Sequence, residues 1–255
     1  MNVELLLDVV LEAGKMLIES GAEIYRVEET INQICKGFDE VVLAESYVTT
    51  TGIMISIKTG EKTYTRIGRV YTRSVNLEIV HRMNALSRKV EKEHHTVDEL
   101  VREVYIIKNS KRYSPWLITL FGGIGAAAFA LFFDGNAYEI GVSFVMGLFV
   151  RITATFLSNH KVNPFINNVL SSALAVLLSH FIARFMPCVS AEIVTISSIM
   201  LLVPGLAITN AIRDTMSGDY VSGMARGTEA FIISAAIAIG AALALAGVRL
   251  WSLLR

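Results

Sequence analysis

The chain has 255 residues, of which 53% are hydrophobic, and its 23 basic residues balance its 23 acidic residues. A net charge of zero gives no general argument for nucleic-acid binding. Two cysteines, Cys35 and Cys188, are too few for a disulfide framework. Of the 46 charged residues, 33 lie in 1–115, so the remainder of the chain is strongly apolar. We therefore predict an α+β cytoplasmic domain over 1–113, followed by an all-α polytopic membrane domain over 114–255.

The N-terminal region begins with two predicted helices. Apolar residues at helical spacing indicate helices over 3–19 and 22–36, and Ser20 with Glu23 fits a capping box at the start of the second. Strand-like runs follow, and they predict a small antiparallel sheet over 41–44, 52–58 and 62–67. The first residues lack the basic n-region of a signal peptide, so we expect this domain to remain in the cytoplasm.

Two further helices complete the predicted cytoplasmic domain. The first presents an apolar face that runs from Val75 to Val90. Thr96 and Glu99 form a capping box at the start of the second, which ends before the first membrane segment. With residues 1–113, the predicted domain is large enough to have a hydrophobic core of its own.

The apolar region predicts about five transmembrane helices, each close to the ~20 residues that a bilayer requires. Their expected bounds are 116–133, 140–157, 165–186, 193–212 and 228–251. Basic residues near the span ends favour a cytoplasmic N-terminus, although Arg184, Arg249 and Arg255 would then lie outside. Small residues crowd the first and last spans, which is typical of close helix packing.

The fourth predicted span is interrupted by Pro204 and Gly205. Proline removes a backbone donor and glycine loosens a helix, and in a bilayer such a break persists where protein or a water-filled cavity satisfies the backbone. The half-helix after the break would offer free backbone donors at its N-terminus, and Asn210 adds a polar side chain. This arrangement favours a transporter over a simple membrane anchor.

Arginines near this break are candidates for binding a carboxylate, because the guanidinium group matches a carboxylate in a fork. Arg213 and Arg226 flank a polar hairpin, and Arg151 lies inside the second predicted span. Arg151 could instead form a structural ion pair with Asp214 or Glu229. For Arg213 and Arg226, the alternative is ordinary positive charge on a cytoplasmic loop.

Acidic residues of the same region are candidates for coupling or pairing. Asp214 and Glu229 would accept protons if transport is proton-coupled, or would orient the arginines, and Asp219 lies in the hairpin between them. In the cytoplasmic domain, Glu23 and Arg26 lie on neighbouring turns of one helix together with further acidic residues, of which Glu28 is our candidate. Surface ion pairs are the alternative there.

No cofactor or metal is expected. The histidines show no metal-ligand spacing, and the chain lacks the glycine-rich lysine loop of an ATP-binding site. A nucleophile with its base is also absent from the sequence pattern, so we expect a secondary transporter subunit and no enzyme.

Three segments resemble the threonine/serine exporter (ThrE) family, N-terminal-half type. They are Glu-Ser-Gly-Ala-Glu-Ile-Tyr-Arg-Val-Glu at 19–28, Leu-Val-Pro-Gly-Leu-Ala-Ile-Thr-Asn-Ala-Ile-Arg-Asp at 202–214, and the glycine-containing block at 218–230. The segment at 128–135 resembles the family's first-span exit, where Asp134 replaces one residue of the usual glycine pair. The resemblance covers nearly the whole chain.

The chain resembles the stand-alone, YjjP-like subunit type of that family. The resemblance implies a multi-pass bacterial or archaeal inner-membrane exporter of threonine, serine or a dicarboxylate such as succinate, driven by an ion gradient. It also implies a small membrane partner subunit of the YjjB-like, C-terminal-half type, and we expect an oligomer by analogy with repeat-built transporters. The alternative is a membrane-tethered metabolite sensor that uses its cytoplasmic domain.

Overall fold

The computed structural model describes residues 2–71, 74–93, 95–110 and 113–253, of which 252 and 253 are described by their backbone alone. The chain folds into two compact units. Unit 1 comprises Met1–Lys111 and Leu206–Thr228, and unit 2 comprises Arg112–Gly205 and Glu229–Arg255. The division predicted after residue 113 had assigned 206–228 to the membrane region, whereas in the fold these residues belong with the N-terminal part of the chain.

Unit 1 begins with α1, Val3–Glu19, whose first turn is capped by the Asn2 side chain. Gly21, with φ +87°, turns the chain into α2, Ile24–Lys36. The predicted capping box of Ser20 and Glu23 is wrong, because Ser20 is the C-cap of α1 and Glu23 is the N-cap of α2 with no side-chain cap bond. The Glu23 carboxylate instead binds two arginines, Arg26 and Arg213.

Three antiparallel strands pack on these helices in the order β1-β2-β3. They are β1, Leu43–Thr49; β2, Gly52–Thr59; and β3, Lys62–Arg69. The first strand was predicted too early, at 41–44, because local composition does not reveal that all seven of its residues pair with β2. The alternation predicted for the second strand is confirmed, since Ile53, Ile55 and Ile57 are buried.

The unit continues with α3, Leu77–Glu93, and α4, Val97–Lys108. The capping box of Thr96 and Glu99 is confirmed, whereas Val75 lies before α3 and is 61% exposed. One hydrophobic core joins the helices and the sheet, and its fully buried members include Leu6, Ile31, Ile55, Met83 and Leu100.

Unit 2 contains α5, Pro115–Phe132; α6, Ala137–Asn159; α7, Pro164–Phe185; and α8, Ala191–Ile199. Helices α5 and α6 approach closely at small residues. A Cβ atom added at Gly147 would lie 2.6 Å from the Ala126 Cβ and 2.8 Å from the Gly122 carbonyl oxygen. This packing agrees with the role predicted for the small residues of the first span.

The last two helices are α9, Gly205–Met216, and α10, Tyr220–Leu253. Among the described residues, four helices are long and apolar enough to cross a membrane, namely α5, α6, α7 and α10. The span expected at 193–212 is divided between α8 and α9, of nine and twelve residues, which are too short to cross ~30 Å alone. The count of about five spans is therefore not confirmed, although the break at Pro204 and Gly205 is present.

Candidate functional site

Residues 206–228 of unit 1 form a helical hairpin, hereafter the 206–228 hairpin, made of α9 and the start of α10. Gly218, with φ +94°, lies in the turn between the two helices. The helices touch at Gly223, where an added Cβ would lie 3.0 Å from the Ala211 carbonyl oxygen and 3.0 Å from the Thr215 nitrogen. Glycine at these two positions therefore permits the tight turn and the close approach.

The 206–228 hairpin binds residues 21–24, which lie at the junction of α1 and α2 and are hereafter the 21–24 turn. Helix ends leave backbone groups without intrahelical partners, and the hairpin supplies those partners. Asn210 Nδ2 donates to the Gly21 carbonyl oxygen at 2.9 Å, and Arg226 donates to the Ala22 carbonyl oxygen at 2.6 Å. At the start of α2, the Ile24 N–H donates to Asp214 Oδ1 at 3.1 Å. These contacts join residues that lie about 190 to 200 positions apart in the chain.

Asp214 and Arg226 form a buried ion pair within the hairpin. The Arg226 Nε lies 3.1 Å from Asp214 Oδ2, and the two side chains are 8% and 0% exposed. Burial raises the pKa of Asp214, and the positive charge of Arg226 and the Ile24 N–H only partly offset this effect. The carboxylate also faces negative charge from Asp219 and Glu23, which raises its pKa further.

Glu23 forms a second charge centre beside the first. Its carboxylate receives Arg26 Nε at 3.0 Å on one oxygen and an Arg213 guanidinium nitrogen at 2.5 Å on the other. Burial raises the pKa of Glu23, but its own backbone N–H, Arg26 and Arg213 together outweigh burial and hold the pKa below its ordinary value. Arg213 remains 53% exposed, so it is the accessible member of this group.

Three guanidinium groups and two carboxylates thus meet at the 21–24 turn, hereafter the arginine cluster. Its members are Glu23, Arg26, Arg213, Asp214 and Arg226. These five side chains carry one excess positive charge. Such a cluster can bind carboxylates, since each guanidinium already holds one. No group of three or more His, Cys, Asp or Glu side chains that could hold a metal ion occurs among the described residues.

Two acidic candidates lie at the edge of the arginine cluster. Glu28 accepts a hydrogen bond from the Val48 N–H at 3.0 Å. Burial raises the pKa of Glu28, and the negative charge of Asp219 raises it further. Asp219 therefore influences both Glu28 and Asp214.

The remaining residues predicted for the site belong to unit 2. They are Arg151, Pro204, Gly205 and Glu229. Arg151 is an exposed residue of α6, and the structure gives Asp214 to Arg226 as ion-pair partner. Sequence reasoning missed the backbone of the 21–24 turn as part of the site. These residues lie inside the segment at 19–28 that carries the family resemblance, and that position was the one indication in the sequence that they belong to the site.

Comparison with known proteins gives a family match over residues 8–247, to a family described as "Putative threonine/serine exporter". The chain is 25% identical over 248 residues to the "Probable succinate transporter subunit YjjP" of Escherichia coli (strain K12), with 94% of each chain covered. It is 27% identical over 250 residues to the protein of the same name in Klebsiella aerogenes, with 95% of this chain and 94% of that protein covered.

A fungal protein also matches. The chain is 27% identical over 243 residues to the "Pheromone-regulated membrane protein 10" of Debaryomyces hansenii. The matched region is 89% of this chain and 23% of that protein. No solved structure gives a significant match.

The family match covers nearly the whole sequence, including the 21–24 turn and the 206–228 hairpin that form the arginine cluster. The chain belongs to the threonine/serine exporter family.

Proposed function

We propose that the chain is a subunit of an inner-membrane exporter of small polar carboxylates, driven by an ion gradient and working with a second small membrane subunit. Its family and its four candidate spans support an export role. Both bacterial relatives are named as transporter subunits, which supports a partner protein. For that partner we propose the YjjB-like, C-terminal-half type.

The arginine cluster carries the proposal about substrate. Arg226 holds the Asp214 carboxylate and Arg213 holds the Glu23 carboxylate, so two neighbouring guanidinium groups already bind carboxylates of the protein. A dicarboxylate could occupy both groups, whereas threonine or serine offers a single carboxylate. We therefore favour a dicarboxylate such as succinate over a hydroxy amino acid.

The proposed orientation places unit 1 in the cytoplasm, where the arginine cluster would collect substrate for export. Asn210 would help to hold the site together through its bond to the 21–24 turn. Arg151 would form a further cationic position, and the break at Pro204 and Gly205 would supply backbone donors. We assign coupling or pairing roles to Asp214, Asp219 and Glu229.

Efflux from cells tests this function. Cells loaded with labelled succinate, threonine or serine are compared when they express the chain alone and when they also express the small partner subunit. We expect succinate efflux that requires both proteins. R213A should slow this efflux at least tenfold, because it removes the accessible guanidinium, whereas R66A should leave it unchanged. Arg66 is a suitable control, since it also forms an ion pair in unit 1, with Asp8. Equal efflux from R213A and the unaltered protein, at matched expression, would refute the site assignment.

A second function, a membrane-tethered metabolite sensor, is favoured by one observation. Every side chain of the arginine cluster belongs to unit 1, which also contains the α+β core. A sensor would bind succinate without moving it. Succinate binding by the purified chain, together with no efflux when both folded proteins are in the membrane, would support this second function.

A further inference from the structure

The Asp214 carboxylate has two separate roles in the arginine cluster. Its Oδ1 accepts the Ile24 N–H, so it caps α2 from a position 190 residues away. Its Oδ2 lies 3.1 Å from Arg226 Nε. A single side chain therefore both occupies a carboxylate-binding guanidinium and attaches the 206–228 hairpin to the 21–24 turn.

The hold of Asp214 on Arg226 is incomplete. Within the part of the chain that the structure describes, Asp214 Oδ2 is buried and receives no hydrogen bond, so its contact with Arg226 is electrostatic. A buried oxygen that lacks a hydrogen bond is costly, and a carboxylate that approaches Arg226 in fork geometry would not carry that cost. Another carboxylate can therefore compete with Asp214 for this guanidinium.

Arg213 offers a route to such an exchange. It is the neighbour of Asp214 in α9 and is 53% exposed, whereas Arg226 is 8% exposed. A dicarboxylate can bind Arg213 from solvent through one group and then present its second group to Arg226. The exchange at Arg226 replaces one carboxylate with another. The displaced Asp214 carboxylate, which is 0% exposed while it holds Arg226, must then move towards solvent with the 206–228 hairpin, because a buried charge without its cation is costly.

Resting on the proposed function, we propose that Asp214 is a tethered competitor of the exported dicarboxylate. It occupies Arg226 while the site is empty and gives up that guanidinium when the dicarboxylate binds. Because the same carboxylate caps α2, binding of the dicarboxylate weakens the attachment of the 206–228 hairpin to the 21–24 turn. Asp214 is thus a specificity-determining residue, which admits only ligands able to displace it.

The first experiment measures succinate binding to the purified full chain by isothermal titration calorimetry. D214N removes the competing charge while keeping an oxygen for the Ile24 N–H, so the succinate Kd should fall about tenfold. D214E restores the charge and should return the Kd towards the original value. D8N, which removes an exposed paired carboxylate of the same unit, should leave the Kd unchanged. A merely structural Asp214 would give weaker or unaltered binding in D214N.

The second experiment needs no substitution. Hydrogen exchange at the Ile24 amide of the full chain should accelerate severalfold with saturating succinate, because its acceptor is displaced. Exchange at the Val27 amide, which donates to the Glu23 carbonyl within α2, should change less.

A full chain that binds succinate but shows an equally or better protected Ile24 amide overturns the tethered competitor, and so does a D214N chain whose Kd does not fall. A chain that binds no succinate overturns the proposed substrate, and this inference with it.

Discussion

Arg213 and Arg226 carry the same charge but occupy different environments, which separates their effects on stability. Arg226 is 8% exposed and pairs with a fully buried carboxylate, whereas Arg213 is 53% exposed. R226A would leave Asp214 buried without its cation, and we expect the free energy of unfolding to fall by about 3–5 kcal/mol. R213A breaks a solvent-screened pair and should cost less than about 1 kcal/mol.

Thermal unfolding of the full chain in detergent measures this difference. The unfolding temperature of R226A should fall by about 10 °C, while R213A should stay within a few degrees of the unaltered protein. Equal shifts for the two variants would contradict the burial of the Asp214–Arg226 pair.

Glu23 makes the stability of unit 1 depend on pH. The pKa of Glu23 in the folded protein lies below its ordinary value of 4.5, so its carboxylate stabilises the fold above pH 4.5, and this contribution is lost as the pH falls through the lowered pKa. E23Q should therefore unfold at a lower temperature than the unaltered protein at pH 7. The difference should shrink on acidification to about pH 3.

The control is E45Q, which alters an exposed carboxylate of β1 and should have little effect at either pH. A difference between E23Q and the unaltered protein that stays constant from pH 7 to pH 3 would mean that ionisation of Glu23 does not account for the stability difference.

At the level of single residues, the sequence singled out charged side chains as candidates for the site but did not show how they pair. Arg213, Asp214 and Arg226 were recognised because charges beside an apolar broken helix are unusual. The partners of Asp214 and Arg226 in the 21–24 turn could not be predicted, since they are backbone groups about 200 residues away. Burial of Arg226 likewise depends on tertiary packing, which local spacing does not report.

The close contact between α9 and α10 in the 206–228 hairpin requires glycine at Gly223 but not at Gly227. An alanine Cβ at Gly223 would come within 3.0 Å of the Ala211 carbonyl oxygen, whereas at Gly227 it would lie 3.9 Å from the Ala211 Cβ, an ordinary contact. G223A should destabilise the chain by about 1–3 kcal/mol through overpacking. G227A should be neutral or stabilising by up to about 1 kcal/mol, because alanine favours helix.

Thermal unfolding of both variants distinguishes the two positions. G227A serves as the matched control, since it adds the same methyl group to the same helix. Equal stability of G223A and G227A would show that α9 and α10 are not in contact at Gly223.

Secondary-structure elements were predictable where local signals act alone. The 3–19 helix and the Thr96–Glu99 cap depend on neighbouring residues, and both are confirmed. The predicted bounds were wrong where a partner distant in sequence determines where an element begins or ends. The first strand extends to Thr49 because β2 pairs along it. Helix α2 begins at Ile24, whose N–H is capped by the distant Asp214 carboxylate and not by a local capping box.

At the level of the whole molecule, unit 1 is discontinuous in sequence, since 206–228 complete a fold that begins at the N-terminus. A fragment of residues 1–113 would keep the hydrophobic core of α1 to α4 and the sheet, but it would lose the acceptor of the Ile24 N–H and the donors to Gly21 and Ala22. The unsatisfied groups lie at the surface of the remaining fold, so we expect the fragment to fold with a locally loosened 21–24 turn.

Hydrogen exchange tests this expectation. The Ile24 amide should exchange at least tenfold faster in the 1–113 fragment than in the full chain, while the Ile55 and Ile57 amides of the central strand should differ much less, because β2 lies between β1 and β3. Adding a synthetic peptide of residues 206–228 should restore protection at Ile24. A D214A version of that peptide should restore less, because Asp214 supplies the acceptor for this amide. Full protection of Ile24 in the fragment alone would show that the turn is satisfied without the hairpin, and that the arginine cluster is not part of the folding of unit 1.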